Sequence, residues 1–370
     1  MVTHHYLHGN GGGIYASRAY INAFSEIADE VTLLYPMKEG MDVEGISDRV
    51  DAYPISNQKS RFRKIIDCLI GRMHRYSDCF EKFIKQRDYD YVVFDNSKVS
   101  YGLIDIAHRY GCKVITIHHN YEYEYNRDNL AGLTRTVFLF WIKRIEKQAV
   151  QKSDLNLTLT NQDKLLLAKA YDSSCLDRIA VLGCFEYARR NPVFSEKKDN
   201  EYNFIITGSL EDVQTEQSLL PWLDDYFPIL KRNIPGMRLV IAGRNPSERI
   251  VTKCKDLDVD LYASPKDMKQ LLDAADFYIC PTSLGGGLKL RVMDGLKNGL
   301  PVIAHQVSAR GYDSFIEEGC LLTYSDKETF EECLKRILHT NYERNEIQVL
   351  YDTIFSFEAG ILRLRKLLSN

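Results

Sequence analysis

The sequence has no apolar run approaching the ~20 residues that a bilayer-spanning helix requires. Its longest apolar cluster, VFLFWI at 137–142, is far shorter, so no spanning helix is expected. The first residues, MVTHHYLHGNGGG, lack the apolar stretch of a secretory leader, and none is expected there. An excess of one charge is also missing: 48 Lys and Arg stand against 51 Asp and Glu, a formal net charge of −3. A chain so balanced has no global field for nucleic acid, which is not an expected partner. Cysteine occurs nine times, but without a CxxC pair or a His/Cys cluster at metal-ligand spacing. That scatter argues against a zinc site or a disulfide framework and fits reduced thiols in a cytoplasmic protein.

What is present is alternation. At 370 residues the chain is too long for one ordinary core, so two domains of similar size are expected. Strand-like apolar runs fall at 3–7, 31–35, 91–94, 113–118, 154–159 and 179–182, with helical patterns at 15–27, 62–86, 101–110, 134–151 and 162–171. A polar stretch, SEKKDNEY at 195–202, reads as a linker. A second series follows, with strands at 203–207, 238–242, 260–262, 277–280, 301–304 and 320–323. Its helices are expected at 217–233, 267–274, 290–299 and 327–338, and the helical spacing of 351–368 ends the chain. Strand–helix alternation of this kind predicts an α/β fold of two Rossmann-like, doubly wound domains facing across a cleft. The expected domains are 1–192, 193–350 and a terminal helix over 351–370.

The most informative stretch is PTSLGGGLKLRVMDGLKNGLPVIAHQVSARG, 281–311. Gly285, Gly286 and Gly287 let backbone N–H groups crowd around a ligand. Lys289 and Arg291 put cations beside the positive end of the helix that follows, which together make an anion site suited to a diphosphate. Asp294, one turn into that helix, is placed to accept hydrogen bonds from ribose hydroxyls. Phosphate and ribose contacts from one segment suggest a nucleotide-sugar. Nearer the N-terminus, Gly11, Gly12 and Gly13 precede another helix. Their G-x-G-x-x-A spacing also suits a dinucleotide fold, but the next strand, VTLLYP, ends in Pro36 and not in the acid a ribose needs. No cofactor is therefore expected. His118 and His119 end the apolar run VITIHH, while His4, His5 and His8 read as part of a strand and its exit. The tyrosines of NYEYEYN, 120–126, alternate like a strand or loop edge.

The order of these motifs resembles the GT-B-fold glycosyltransferases, and within them the retaining family-four group. The marks are FIITGSL at 204–210, PGMRLVIAG at 235–243 and DMKQLLDAADFYICPTSLGGGLKLRVMDGLKNGLPVIA at 267–304. Looser ones are GNGGGIY at 9–15, TIHHN at 116–120 and IEKQAVQKSDLNLTLT at 145–160. The resemblance implies a donor diphosphate on the backbone of Gly286, Gly287 and Leu288, clamped by Lys289, Arg291 and Arg244. It puts Asp294 on the ribose and the segment Tyr262, Ala263 and Ser264 beside the base, with Gly11–Gly13 at the cleft. It makes a histidine a catalytic candidate, His118 preferred and His119 beside it, with Glu122 and Glu124 as further acid/base candidates. Relatives carry two glutamates eight positions apart. Here Gly286 replaces the first and Asp294 the second, which leaves the donor sugar open. The loop GSLEDVQTEQS, 208–218, also lacks the basic pair of many relatives.

The expected reaction is transfer of a hexose from a UDP- or GDP-sugar to a glycan or lipid-linked acceptor in cell-surface polysaccharide synthesis. Retention is implied by the resemblance, and fixed amides and cations are expected to serve in place of a metal. The alternatives are a non-hydrolysing nucleotide-sugar epimerase and a non-catalytic nucleotide-sugar-binding protein. Basic and apolar residues alternate at helical spacing over 59–75, KSRFRKIIDCLIGRMHR, which suits peripheral contact at the inner face of the cytoplasmic membrane.

Overall fold

The computed structural model describes residues 1–9, 11–37, 40, 42–56, 66, 75–129, 134–190 and 202–369. It divides into two compact units, one of Met1–Arg189 with Phe355–Asn370 and one of Arg190–Ile354.

The first unit holds a seven-stranded sheet. In chain order its strands are β1 (Val2–Thr3), β2 (Val31–Pro36), β3 (Val50–Ile55), β4 (Tyr91–Asp95), β5 (Lys113–His118), β6 (Leu155–Thr158) and β7 (Ile179–Val181). Their spatial order is β3-β2-β1-β4-β5-β6-β7, and every pair is parallel. The strand expected over 3–7 is only Val2–Thr3, because the chain turns at once and buried Leu7 takes a left-handed φ of 54°. Strand β3 was not foreseen. Its VDAYPI sequence carries Pro54, which sheets tolerate at an edge, and it pairs with β2 from Val31↔Val50 to Pro36↔Ile55. Of the helix expected over 62–86, the described residues show Phe80–Ile84. The tyrosine-rich segment is a helix, Glu122–Asn129, and not a strand or loop edge. The glutamates and asparagines between its tyrosines satisfy a helical turn as readily as a loop.

The second unit holds β8 (Asn203–Ser209), β9 (Arg238–Arg244), β10 (Asp260–Ala263), β11 (Phe277–Cys280), β12 (Val302–His305) and β13 (Leu321–Tyr324). They lie in the order β10-β9-β8-β11-β12-β13, all parallel. One core cluster gathers Phe204, Trp222, Leu230, Ile241, Ile279, Phe330 and their neighbours. The single helix expected over 217–233 is two, Val213–Asp225 and Phe227–Asn233, because Pro228 near the start of the second forces a new beginning. A helix over Glu248–Leu257, capped by Ser247, also went unforeseen.

The terminal stretch likewise breaks, at Ser356, whose hydroxyl accepts from the Ala359 N–H and starts a second helix, Phe357–Leu368. That helix belongs to the first unit. Gly360 lets it lie against Phe185, since a Cβ there would meet the ring at 2.2 Å. Arg363 Nε donates to the Leu182 carbonyl at 3.0 Å and Arg365 to the Glu26 carbonyl at 3.3 Å.

In each sheet the strand order reverses beside the first strand, between β1 and β4 and between β8 and β11. Ligands of parallel α/β sheets collect beyond the strand C-termini at such points.

Candidate active site

Both switch points carry glycine. In the second unit β11 runs into Gly285 and Gly287, whose φ values of 85° and 68° belong to glycine. Around Gly286 the space is open, with no atom within 4 Å of where a Cβ would stand. Lys289 is the residue before the helix Leu290–Lys297. Its ammonium turns back and donates to the Gly286 carbonyl at 3.2 Å. Burial pushes its pKa from the ordinary 10.5 down to about 8, with Arg291 and Arg310 adding to the fall and Cys280 opposing it. Tyr312 fixes the same residue by donating to the Lys289 carbonyl at 2.8 Å.

Arg291 crosses to the end of β8. Its guanidinium donates to Thr215 Oγ1, to the Ser209 carbonyl at 3.5 Å and to Thr282 Oγ1 at 3.5 Å, and lies 3.7 Å from Asp212. The loop 208–218 has no cation of its own, and Arg291 brings one into it. Gly208 makes the passage possible, since a Cβ there would sit 2.6 Å from the guanidinium carbon.

The remaining predicted donor residues surround this edge. Arg244 ends β9 exposed. Tyr262, Ala263 and Ser264 are exposed at the end of β10. Ser264, at a φ of 50°, donates its N–H to the Gly243 carbonyl at 2.7 Å and accepts the Asn245 N–H at 3.2 Å. Asp294 meets Lys297 one turn on, at 3.1 Å. Sequence reasoning missed Thr215, Gln214 and Arg310; Gln214 lies 2.8 Å from where a Gly285 Cβ would stand. Their only sequence signal is a place just after β8 or β12.

Asp-x-Asp triplets, a pattern able to hold a metal, stand at Asp88–Asp90 and over Asp256–Asp260. Asp260 is held by Arg238, and Asp258 ends the Glu248–Leu257 helix. Among the described residues no three His, Cys, Asp or Glu side chains group as metal ligands.

In the first unit, Gly11 precedes and Gly12 begins the helix Gly12–Ile27, whose start has no side-chain cap. Gly13 admits His5, whose ring would lie 2.5 Å from a Cβ there. The His5 ring is 3.8 Å from that of His4 and 5.5 Å from that of His119. Burial holds His4 at about 4 and His5 well below its usual 6.5.

His118 and His119 have different surroundings. His118 is wholly buried; its Nε2 donates to Asn156 Oδ1 at 2.9 Å, its Nδ1 has no partner among the described residues, and burial lowers its pKa to about 4. His119 Nε2 lies 2.5 Å from Asp95 Oδ1. A carboxylate only accepts, so Nε2 carries the hydrogen of this bond. Asp95 ends β4 fully buried and also accepts from Thr3 Oγ1 at 2.6 Å and from Ser17 Oγ. Burial alone would raise its pKa, but His119, His5 and Ser17 together hold it well below the usual carboxylate range. Asp95 thus ties β1, the glycine helix and His119 together, and the sequence signal for it was only an acid at a strand end.

Glu122 is buried against Lys98 Nζ at 2.6 Å and Asn96 Nδ2 at 2.8 Å. Glu124 is half-buried and pairs with Arg127 at 3.1 Å.

The sequence model of the family described as Glycosyl transferases group 1 matches residues 201–340. That segment, 140 of the 370 residues, is similar to a group 1 glycosyltransferase domain. It contains β8 to β13, the glycine turn, Lys289 and Arg291. Solved structures share the fold of the whole chain at low identity. The Anabaena protein HepE, solved with UDP, superposes with a TM-score of 0.70 at 11% identity, covering 100% of this chain and 98% of its own. The lipopolysaccharide outer core galactosyltransferase WaaB gives 0.71 at 14%, covering 100% and 98%. Sucrose-phosphate synthase of Thermosynechococcus elongatus gives 0.70 at 14%, covering 100% and 97%. The fold is therefore GT-B. Among curated sequences, an uncharacterised 44.6 kDa protein in the cps region of Klebsiella pneumoniae is 22% identical over 317 residues, 80% of this chain and 72% of that protein.

Proposed function

We propose that this glycosyltransferase moves a hexose from a uridine diphosphate sugar to a glycan or lipid-linked acceptor during cell-surface polysaccharide synthesis, with retention and without a metal. The observation that carries the reading is the cation pair at the glycine turn. Lys289 donates to the Gly286 carbonyl and Arg291 to Thr215 Oγ1, both from the start of one helix and next to open space at Gly286. A departing nucleoside diphosphate gains negative charge as the glycosidic bond breaks, and amides and cations already in place stabilise it without reorganising. HepE has been solved with UDP and with UDP-glucose, which supports uridine as the base. The cps-region protein and WaaB support a polysaccharide product.

Acceptor handling is assigned to the first unit. There His119, oriented by Asp95 and itself only 5% exposed, is preferred to His118, which has no exposed surface. The test is a thermal-shift panel of nucleotides and nucleotide-sugars. UDP and one or more UDP-sugars should raise the melting temperature in proportion to the logarithm of concentration. No shift with any nucleotide would overturn the reading, and a shift confined to GDP compounds would overturn its choice of base.

A further inference from the structure

The basic segment 59–75 lies outside the described residues except for Ile66 and Arg75, so it offers no described surface for lipid. The helix Thr134–Lys152 does. Five consecutive residues near its start, Val137, Phe138, Leu139, Phe140 and Trp141, are apolar, yet no residue from 135 to 141 is buried. Val137 is 49% and Phe140 59% exposed. Successive helical residues point about 100° apart, so five in a row occupy the whole circumference. Trp141 meets the Tyr101 ring edge-on at 6.1 Å, but no single packing surface on a globular unit can cover all five, and Val137 and Phe140 are left outside it. Burial begins only at Ile142.

Charge identifies that environment. The helix carries Arg135, Lys143, Arg144, Lys147 and Lys152 against one acid, Glu146, which is buried and occupied by the Glu122 N–H at 2.7 Å and the Tyr171 hydroxyl at 2.7 Å. The charge this helix shows to solvent is therefore entirely positive, in a chain whose formal net charge is −3. Arg144 and Lys143 lie over aromatic rings, at 5.9 Å from Trp141 and 5.8 Å from Tyr123. Lys152, at the far end, pairs with Asp105 at 2.6 Å. Apolar side chains flanked by cations match the boundary between acyl chains and anionic headgroups. Among the described residues no helix is long and apolar enough to cross a membrane, so such contact would be peripheral.

We propose that the exposed first turns of the Thr134–Lys152 helix dock the transferase on an anionic phospholipid surface, Val137, Phe140 and Trp141 entering the boundary and Lys143 and Arg144 meeting the headgroups. The inference is independent of which sugar is transferred.

Co-sedimentation of the full chain with vesicles tests it, using phosphatidylcholine alone and phosphatidylcholine mixed with phosphatidylglycerol. The wild type should bind the mixed vesicles and release in high salt. Replacing Lys143 and Arg144 together with Ser should weaken binding roughly 30-fold, since each cation near an anionic surface is worth about fivefold. V137S/F140S should abolish it. Both variants should keep the wild-type circular dichroism and the nucleotide-induced thermal shift, which separates lost docking from lost folding. Absence of binding by the folded wild type overturns the proposal. So does binding lost only when the cations of 59–75 are neutralised, or a concentration-dependent dimer abolished by V137S/F140S without any vesicle binding.

Discussion

Gly208 and Arg291 form a pair in which one residue's missing side chain sets the other's position. Alanine at 208 would place a methyl group 2.6 Å from the guanidinium carbon, at a φ of 151° that L-residues rarely adopt. G208A should therefore reproduce the binding defect of R291A. A charge-assisted hydrogen bond contributes about 1.5–3 kcal/mol, so both should weaken UDP binding on the order of 10- to 100-fold by calorimetry. Wild-type affinity in G208A would show that Arg291 does not serve the nucleotide from this position. Lys289 brings a pH dependence. Its folded pKa of about 8 lies below the ordinary 10.5, so the unliganded site loses its ammonium as pH rises through about 8. An anion stabilises the ammonium and draws the proton back. UDP affinity should thus fall above pH 8, and binding near that pH should take up a proton, read as a dependence of the calorimetric enthalpy on buffer. K289M should remove both effects.

Among the elements, the helix Glu122–Asn129 depends on one buried side chain from a neighbour. Glu146 accepts the Glu122 N–H at 2.7 Å and the Tyr123 N–H at 3.0 Å, occupying two of the amides that begin that helix. Burial, and then the Glu122 carboxylate, push the Glu146 pKa from 4.5 up to about 8. Between those values the folded chain holds a proton that the unfolded chain has released. Stability should consequently fall as pH rises from about 4.5 to about 8, by at most ~1.4 kcal/mol per pH unit. E146Q carries no titrating group and should flatten this component in urea unfolding; an unchanged slope would assign it to other groups. The same region shows what sequence could reveal. Apolar runs such as FYIC and VVF mark strands because both faces of a parallel sheet are buried, and all six strands of the second unit were legible. VDAYPI was not, because an edge strand exposed over most of its length carries no such run. Gly285–Gly287, Lys289 and Arg291 were legible through spacing along one segment. Asp95 was not, because what distinguishes it is three partners distant in sequence, Thr3, Ser17 and His119.

For the molecule as a whole, the core residues around Trp222 all lie within Arg190–Ile354, and so do the residues of the proposed donor site from Ser209 to Tyr312. That segment expressed alone should melt cooperatively and retain a UDP-induced thermal shift. Failure of the fragment to bind, when the full chain does, would make the first unit a necessary part of the nucleotide site. Tryptophan occurs only twice in the chain, at Trp222 in the core of the second unit and at Trp141 on the half-exposed apolar helix of the first. Each unit thus has its own built-in fluorophore. A W222F chain would glow from position 141 alone, and its emission should shift to the blue and become shielded from aqueous quenchers on anionic vesicles. A W141F chain would stay dark to lipid and change colour only when the second unit opens.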